Sequence, residues 1–461
     1  MAEVAISGNR IVEAAGARAG GATVDVVAVM DAARISPFVI TMVALCAGVS
    51  FLDGFDILAI SYVAPVIGQA WSLSKEAFGP IFAAHYIGAA AGAVFFGWYA
   101  DRYGRRNGVI IPTALFGVFA LATVYAYDFK SLFILRVLIG IGLGGALSNA
   151  IAMVAEGAPQ RSRATLVSIM YAAFPLGGVL GGPLAAAIIP KFGWPSVFVV
   201  GGVLPLLITV ALLVWLEESI RFLVVSGAPA GRIAGVLNRL TGTTTYGPDA
   251  TFVMGQQRDE TLSRRPTREI FSQDYLRATV MLCLAAFVSQ LIIVYVVTWM
   301  PLVMASIGMP VTKAILASVA YSVGGIFGAL GLARIIDKRR SYGWLIATYF
   351  VSAVAVAGIG WSAADWYALL AVTALTGLLT VGANIVLSAY ATTFYPTNIR
   401  STGIGWVVGW GRIGAIAGAL FGTALVKAGL SIEAGYAVAA IPAVIGGIAV
   451  MLVGPRRAKD S

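Results

Sequence analysis

Twelve apolar stretches, each long enough to cross a bilayer, limit what this chain can fold into. A bilayer core of about 30 Å needs roughly 20 apolar residues per helix. Inside lipid every backbone N–H and C=O must be satisfied within the segment, so such stretches fold as helices rather than open strands. On that basis spans begin near Ser36, Ser74, Asn107, Lys130, Ala164 and Trp194. After a polar stretch, six more begin near Arg277, Thr312, Tyr342, Trp366, Ser401 and Ser431. Only 11% of the 461 residues are charged, far from the quarter or so typical of soluble chains. The many glycines fall in the apolar runs, where small residues let helices approach closely.

The net charge of +10 raises nucleic acid as a partner. Its distribution argues against that, because Lys and Arg sit in short loops and tails rather than in a basic stripe. One set of loops holds DRYGRR (Asp101 to Arg106), QRSR (Gln160 to Arg163), DKRR (Asp337 to Arg340), Arg400 and the tail RRAK. The opposite set carries single lysines: Lys75, Lys130, Lys191, Lys313 and Lys427. The positive-inside rule makes the first set cytoplasmic, and twelve spans then place both termini inside. The expected division is a cytoplasmic tail over 1–35, six spans over 36–216, a cytoplasmic linker over 217–276, six spans over 277–453 and a tail over 454–461. Cys46 and Cys283 are far apart in apolar segments, so neither a disulfide framework nor a metal spacing is expected. The N-terminal stretch to about Arg34 has no apolar core and does not read as a signal peptide.

The halves repeat each other. Asp101-Arg102 of GWYADRYGRR is matched by Asp337-Lys338 of ARIIDKRR, and Arg163 by Arg400, both at an offset of about 236 residues. Two six-helix halves around a site at mid-membrane is a transporter plan.

Within the spans, ionisable residues are few, and each is a functional hypothesis because charge in hydrocarbon is costly. Asp53 and Asp56 lie at i, i+3 in the first span, hence on one helix face. Two such carboxylates disfavour simultaneous ionisation, which suits a proton carrier; the alternative is a helix bend at Gly54 with the aspartates capping neighbours. Asp53 lies about 17 residues up its span and Arg136 about six down the fourth, at depths that coincide to within a turn. Arg136 is therefore the expected switchable partner, against the alternative that it snorkels to the surface. Arg412 falls roughly 16 Å into the eleventh span, at the midplane, where its planar fork suits a substrate carboxylate. His85 is near mid-depth on the second span, as a proton relay, a substrate contact or a packing residue. Gln290, Tyr86, Tyr295, Trp299, Asn384, Trp406 and Trp410 are candidates to line the cavity, each with packing or interface anchoring as its alternative. The repeat counterpart of Arg412 lies near Pro175, and those of Asp53 and Asp56 near Ser289 and Ile292. Proton chemistry is thus expected in the first half and anion binding in the second.

These motifs resemble a known superfamily. GWYADRYGRR is similar to the loop between helices 2 and 3 of the major facilitator superfamily, and Arg136 with Gly140 and Gly142 (RVLIGIG) looks like its helix 4 motif. LEESIRFL, from Leu216 to Leu223, resembles the signature closing the first half in several of its families. DGFD, Asp53 to Asp56, resembles the Asp-Gly-X-Asp motif of the aromatic acid:proton symporters. The resemblance implies an all-α membrane protein with twelve transmembrane helices in two pseudo-symmetric six-helix bundles. It also implies a bacterial inner-membrane transporter rather than an enzyme, expected as a monomer and needing no cofactor beyond the coupling proton. The cargo implied is a benzoate, hydroxybenzoate, protocatechuate or phenoxyacetate. Gating by ion pairs among Asp101, Arg102, Arg106, Glu156, Arg161 and Arg163, mirrored by Asp337 and Arg400, is implied in the same way. Two features depart from the pattern. The second loop has Lys338-Arg339-Arg340-Ser341 in place of the usual glycines. The fifth span carries Gly178-x-x-x-Gly182-Pro183, a partial antiporter motif that keeps an exporter open as the alternative. A non-transporting receptor is a further alternative. No G-x-x-x-x-G-K-[ST] occurs, which argues against ATP-driven transport.

Overall fold

The computed structural model of the chain describes residues 23–255, 266–339, 342–396 and 398–454; the side chains of 266, 332–339, 342 and 393 lie outside that description. Among the described residues, twelve helices are long and apolar enough to cross a membrane. They are α1 (Pro37–Ala70), α2 (Phe78–Tyr103), α3 (Arg105–Ala122), α4 (Phe129–Gly157), α5 (Gln160–Phe192) and α6 (Pro195–Trp215) in the first half. The second half holds α7 (Leu276–Ser306), α8 (Val311–Arg339), α9 (Tyr342–Ser362), α10 (Trp366–Phe394), α11 (Arg400–Lys427) and α12 (Ile432–Val453). Their starts fall within a few residues of those expected from hydropathy. Helices α1, α5 and α7 run to 34, 33 and 31 residues. That is more than a perpendicular span requires, so they tilt or project beyond the lipid.

Local chemistry sets the ends. Ser36 accepts from the Val39 amide at the start of α1, and Pro37 occupies the first turn, where its missing N–H costs nothing. Asp128 and Ser131 form a reciprocal capping box on α4, and the Ser131 hydrogen bonds hold the Asp128 carboxyl below the usual carboxylate range. Gly104 ends α2 at φ 102°, a backbone region a β-carbon disfavours. The chain therefore reverses in one residue, and Arg105 and Arg106 open α3.

Packing repeats with the sequence. In the first half α1 pairs with α5, α2 with α4 and α3 with α6; six helices on, α7 pairs with α11, α8 with α10 and α9 with α12. The halves meet through α1 against α7, α2 against α11 and α5 against α8. These contacts lie toward one end of the molecule. There a single apolar core runs through both halves, from Ile60, Tyr62 and Phe82 to Trp299, Ala314 and Ala419. The Ser61 hydroxyl, on α1, donates across to the Thr298 carbonyl at 2.7 Å, and the Thr423 hydroxyl to the Glu76 carbonyl at 3.1 Å. At the opposite end, which carries the start of α1 and the end of α12, the core divides into two separate clusters, one per half. The molecule is thus sealed at one end and cleft at the other.

The linker and the N-terminal segment cap the first half at the cleft end. Strand β1 (Thr23–Asp25) pairs in parallel with β2 (Thr251–Val253). The helix Ala230–Thr241 buries Ile233, Val236, Leu237 and Leu240 against that half, so the linker carries a short amphipathic helix docked on the first half. The basic tail from residue 455 and the side chains of the DKRR loop lie outside the described residues.

The one-sided closure has a direct test. Both native cysteines are buried, so the labelling background is low. A cysteine replacing half-exposed Tyr171 is expected to react readily with a water-soluble maleimide, and one replacing Ser61 to stay protected. Equal reactivity at both positions would contradict the sealed end.

Candidate functional site

Asp53 and Asp56 sit midway along α1 at 6% and 1% exposure. Between them, Gly54 lets the α5 backbone pack on α1. A β-carbon at Gly54 would overlap the Phe174 carbonyl. Gly54→Ala is accordingly expected to cost about 1–3 kcal/mol, visible as a lower melting temperature in detergent.

From α4, Arg136 reaches both oxygens of Asp56 through one terminal nitrogen, at 3.2 and 3.1 Å. Its exposure is 0%, so it does not snorkel to the surface. Phe198, on α6, presents its ring 5.1 Å from the guanidinium carbon, a cation–π contact in a dry site. The Arg136 Nε and the other terminal nitrogen are buried without a hydrogen-bond partner among the described residues. His85, buried on α2, bridges the two carboxylates loosely: Nδ1 is 3.5 Å from Asp56 and Nε2 is 3.9 Å from Asp53. Neither distance is a good hydrogen bond. The outcome is a division of labour between two residues that look alike in sequence. Asp56 is held by an arginine, whereas the nearest basic group to Asp53 among the ion pairs of the described residues is the distant imidazole.

Arg412, on α11, is exposed, and its charge is within electrostatic reach of Asp53 and of Tyr171 on α5. Its charge thus acts from the second half on groups of the first. Gln290 is partly buried on α7 beside Gly411, next to Arg412 in the chain. Trp406 and Trp410, six and two residues before Arg412 on α11, are 38% and 41% exposed and meet Phe271 and Phe287 edge-on. Asn384 is partly buried on α10.

Two of the expected cavity residues stand elsewhere. Trp299 is wholly buried, donates its indole N–H to the Ala419 carbonyl at 2.9 Å and packs on Phe82 at 5.5 Å. It belongs to the sealed end. Tyr295 is buried between Phe421 and Tyr436. Size and aromaticity selected both in the sequence, but neither property distinguishes a seam from a cavity wall.

The loop charges also sort differently from expectation. Arg105, rather than Arg102, bridges Asp101 at 2.8 Å and Glu156 at 3.2 Å. Arg102 lies over the ring of its neighbour Tyr103. Arg106 donates to the Leu213 and Leu216 carbonyls at 2.6 Å each, and its amide donates to Glu218. Glu156 also accepts from the Ser219 hydroxyl at 2.5 Å. Arg161 donates to the Ala33 carbonyl at 2.7 Å, so it ties down the N-terminal segment. Arg163 lines a cavity of about 450 Å³ with Asp31, Glu156 and Arg221. This network ties helices of the first half to one another and to the start of the linker. Arg400 donates to the Tyr395 carbonyl at 3.3 Å in the second half. The Asp337 side chain lies outside the described residues. Arg105, Glu218 and Ser219 belong to this network without being expected in it; they lie inside DRYGRR and LEESIRFL, and those two segments are the signal for them in the sequence.

The Major Facilitator Superfamily profile matches residues 46–365 and 282–461. The chain belongs to the major facilitator superfamily. Curated relatives agree along its length. It is 34% identical to the gallate transporter of Pseudomonas putida over 95% of this chain and 96% of that protein. It is 34% identical to the 4-hydroxybenzoate transporter PcaK of Pseudomonas aeruginosa over 93% and 96%. The benzoate transport protein of Acinetobacter baylyi is 26% identical over 93% and 92%. In fold, this major facilitator protein superposes on the inward-open xylose transporter XylE of E. coli with a TM-score of 0.72 at 17% identity, covering 92% of this chain and 98% of that one. The protein is therefore a major facilitator transporter related to aromatic acid transporters.

Proposed function

We propose that the protein imports an aromatic carboxylate together with protons, by rocking its halves about the central space. The observation that carries this reading is the pairing of two unlike charged groups, one on each half, within electrostatic reach of each other. An exposed guanidinium, Arg412, lies within electrostatic reach of an acidic pair of which one member, Asp53, is bonded to no arginine among the described residues. A carboxylate docked at Arg412 satisfies a planar bidentate donor, and a proton at Asp53 removes a buried charge. The signs agree with symport, because a proton entering with an anion offsets its charge and lets an inward proton gradient drive accumulation. Relatives carrying gallate, 4-hydroxybenzoate and benzoate support this substrate class. In this reading the basic loops put the cleft end in the cytoplasm, and the molecule stands inward-open. The division at residues 216 and 277, with the stretch between them as the inter-bundle linker, belongs to the same proposal.

The test is uptake of labelled aromatic acids into proteoliposomes under an imposed inward proton gradient, comparing the wild type with Arg412→Ala. Accumulation of at least one acid is expected. Arg412→Ala is expected to weaken apparent affinity by roughly 10–100-fold, the value of one or two charge-assisted hydrogen bonds. Efflux of lipophilic cations, with no uptake of any acid, would overturn the reading in favour of the exporter. The Gly178 to Pro183 motif does not by itself require export. In the structure Gly178 makes room for Leu58 on α1, and Gly182 for Val319 on α8.

A further inference from the structure

Helix α5 carries a second polar and aromatic feature that the ion-pair chemistry leaves unused. Tyr171 is 47% exposed although it lies more than two turns into a long buried-pair helix. Its ring stacks on Phe174 at 6.2 Å with an interplanar angle of 28°. No residue among those described hydrogen-bonds its hydroxyl. Four residues on stands Pro175, inside the helix. Proline has no N–H, so the Tyr171 carbonyl loses the donor that an α-helix would otherwise supply. One residue therefore presents an unused hydroxyl and an under-used carbonyl, beside an aromatic face.

The position is set by the repeat. Helix α5 packs on α1 as α11 packs on α7, and the repeat counterpart of Arg412 lies near Pro175. The Tyr171 to Pro175 turn therefore stands opposite Arg412 across the pseudo-two-fold axis, at a similar depth. The Phe174 backbone is pressed on Gly54, which fixes this turn relative to Asp53. Tyr171 lies within electrostatic reach of both Asp53 and Arg412.

We propose that Tyr171 and Phe174 form the ring-binding shelf of the site, and that the Tyr171 hydroxyl and carbonyl select a hydroxylated aromatic acid over the bare ring. This rests on the aromatic-carboxylate reading above and adds its specificity. With the carboxylate on Arg412, the ring lies toward α5 and stacks on the tyrosine and phenylalanine faces. A hydroxyl on the ring then donates to the Tyr171 carbonyl and accepts from its hydroxyl. A site built to bond a substrate hydroxyl discriminates strongly, because without it these groups stay unpaired.

The experiment is a titration of the purified full chain in detergent with benzoate, 3-hydroxybenzoate and 4-hydroxybenzoate, for the wild type, Tyr171→Phe, Tyr171→Ala and Phe174→Leu. The wild type is expected to bind at least one hydroxybenzoate more tightly than benzoate. Tyr171→Phe is expected to weaken that hydroxybenzoate about fivefold to tenfold more than it weakens benzoate. Tyr171→Ala and Phe174→Leu, which remove stacking, are expected to weaken all the acids that bind. A wild type that binds benzoate as well as both hydroxybenzoates would overturn the proposal without any variant. So would a Tyr171→Phe protein that affects all three equally or none. A wild type that binds none of the three would instead sink the reading of the site as one for benzoate and the monohydroxybenzoates, so the two failures are distinguishable.

Discussion

Asp53→Asn is expected to abolish proton-driven accumulation while exchange of substrate across the membrane continues. Asparagine imitates the protonated carboxyl in size and charge, so the cavity can still bind substrate and the halves can still rock. What it cannot do is release a proton on the far side. The carrier then equilibrates substrate but no longer couples it to the gradient. The structure singles out Asp53 over its neighbour because Asp56 is engaged by Arg136 and Asp53 is not. In proteoliposomes, counterflow of a labelled aromatic acid should persist in Asp53→Asn, and gradient-driven uptake should fall to the level of empty vesicles. Retained accumulation in this variant would remove Asp53 from the coupling role and leave Asp56 or His85 to carry the proton.

The second large effect concerns the fold as much as transport. Arg136→Leu leaves Asp56 as an uncompensated charge at 1% exposure. Breaking a buried pair by deleting one partner costs about 3–5 kcal/mol, whereas replacing both partners by apolar groups is often close to neutral. Arg136→Leu should therefore unfold at markedly lower denaturant or temperature, and the double variant Asp56→Leu, Arg136→Leu should recover most of that loss. The double variant should nonetheless fail to accumulate substrate, because the pair that is proposed to open and close during the cycle is gone. A double variant as unstable as the single one would show that Arg136 is held by Phe198 and its helix rather than by Asp56.

Much of this arrangement was legible in the chain. Apolar length located all twelve helices, because hydrocarbon leaves the backbone no other way to satisfy its polar groups. The repeat of Asp101 with Asp337 and of Arg163 with Arg400 announced two halves, and the structure shows their helices pairing alike. Depth counting brought Asp53, Asp56 and Arg136 to one level, because rise per residue is constant along a helix. His85 and Arg412 were found by the same means, as rare ionisable residues in lipid-length segments.

Rotation about each helix and the state of the two halves were not legible, since both depend on neighbours remote in sequence. One helical turn separates Asp53 from Asp56, and only the crossing of α4 decides which of them meets Arg136. Trp299 and Trp410 are equivalent to any composition argument, yet one is locked in the seam against Phe82 and the other is open. Arg105 takes the contacts expected of Arg102 because Gly104 turns the chain between them, which places Arg105 on α3 facing Glu156. The sequence by itself determined that this is a twelve-helix membrane protein with a few charges in its middle, because the energy of groups in lipid depends on residue type and span length. Only the tertiary structure decided which of those charges are paired, which face a cavity and which end is sealed, because those follow from how helices far apart in the chain cross.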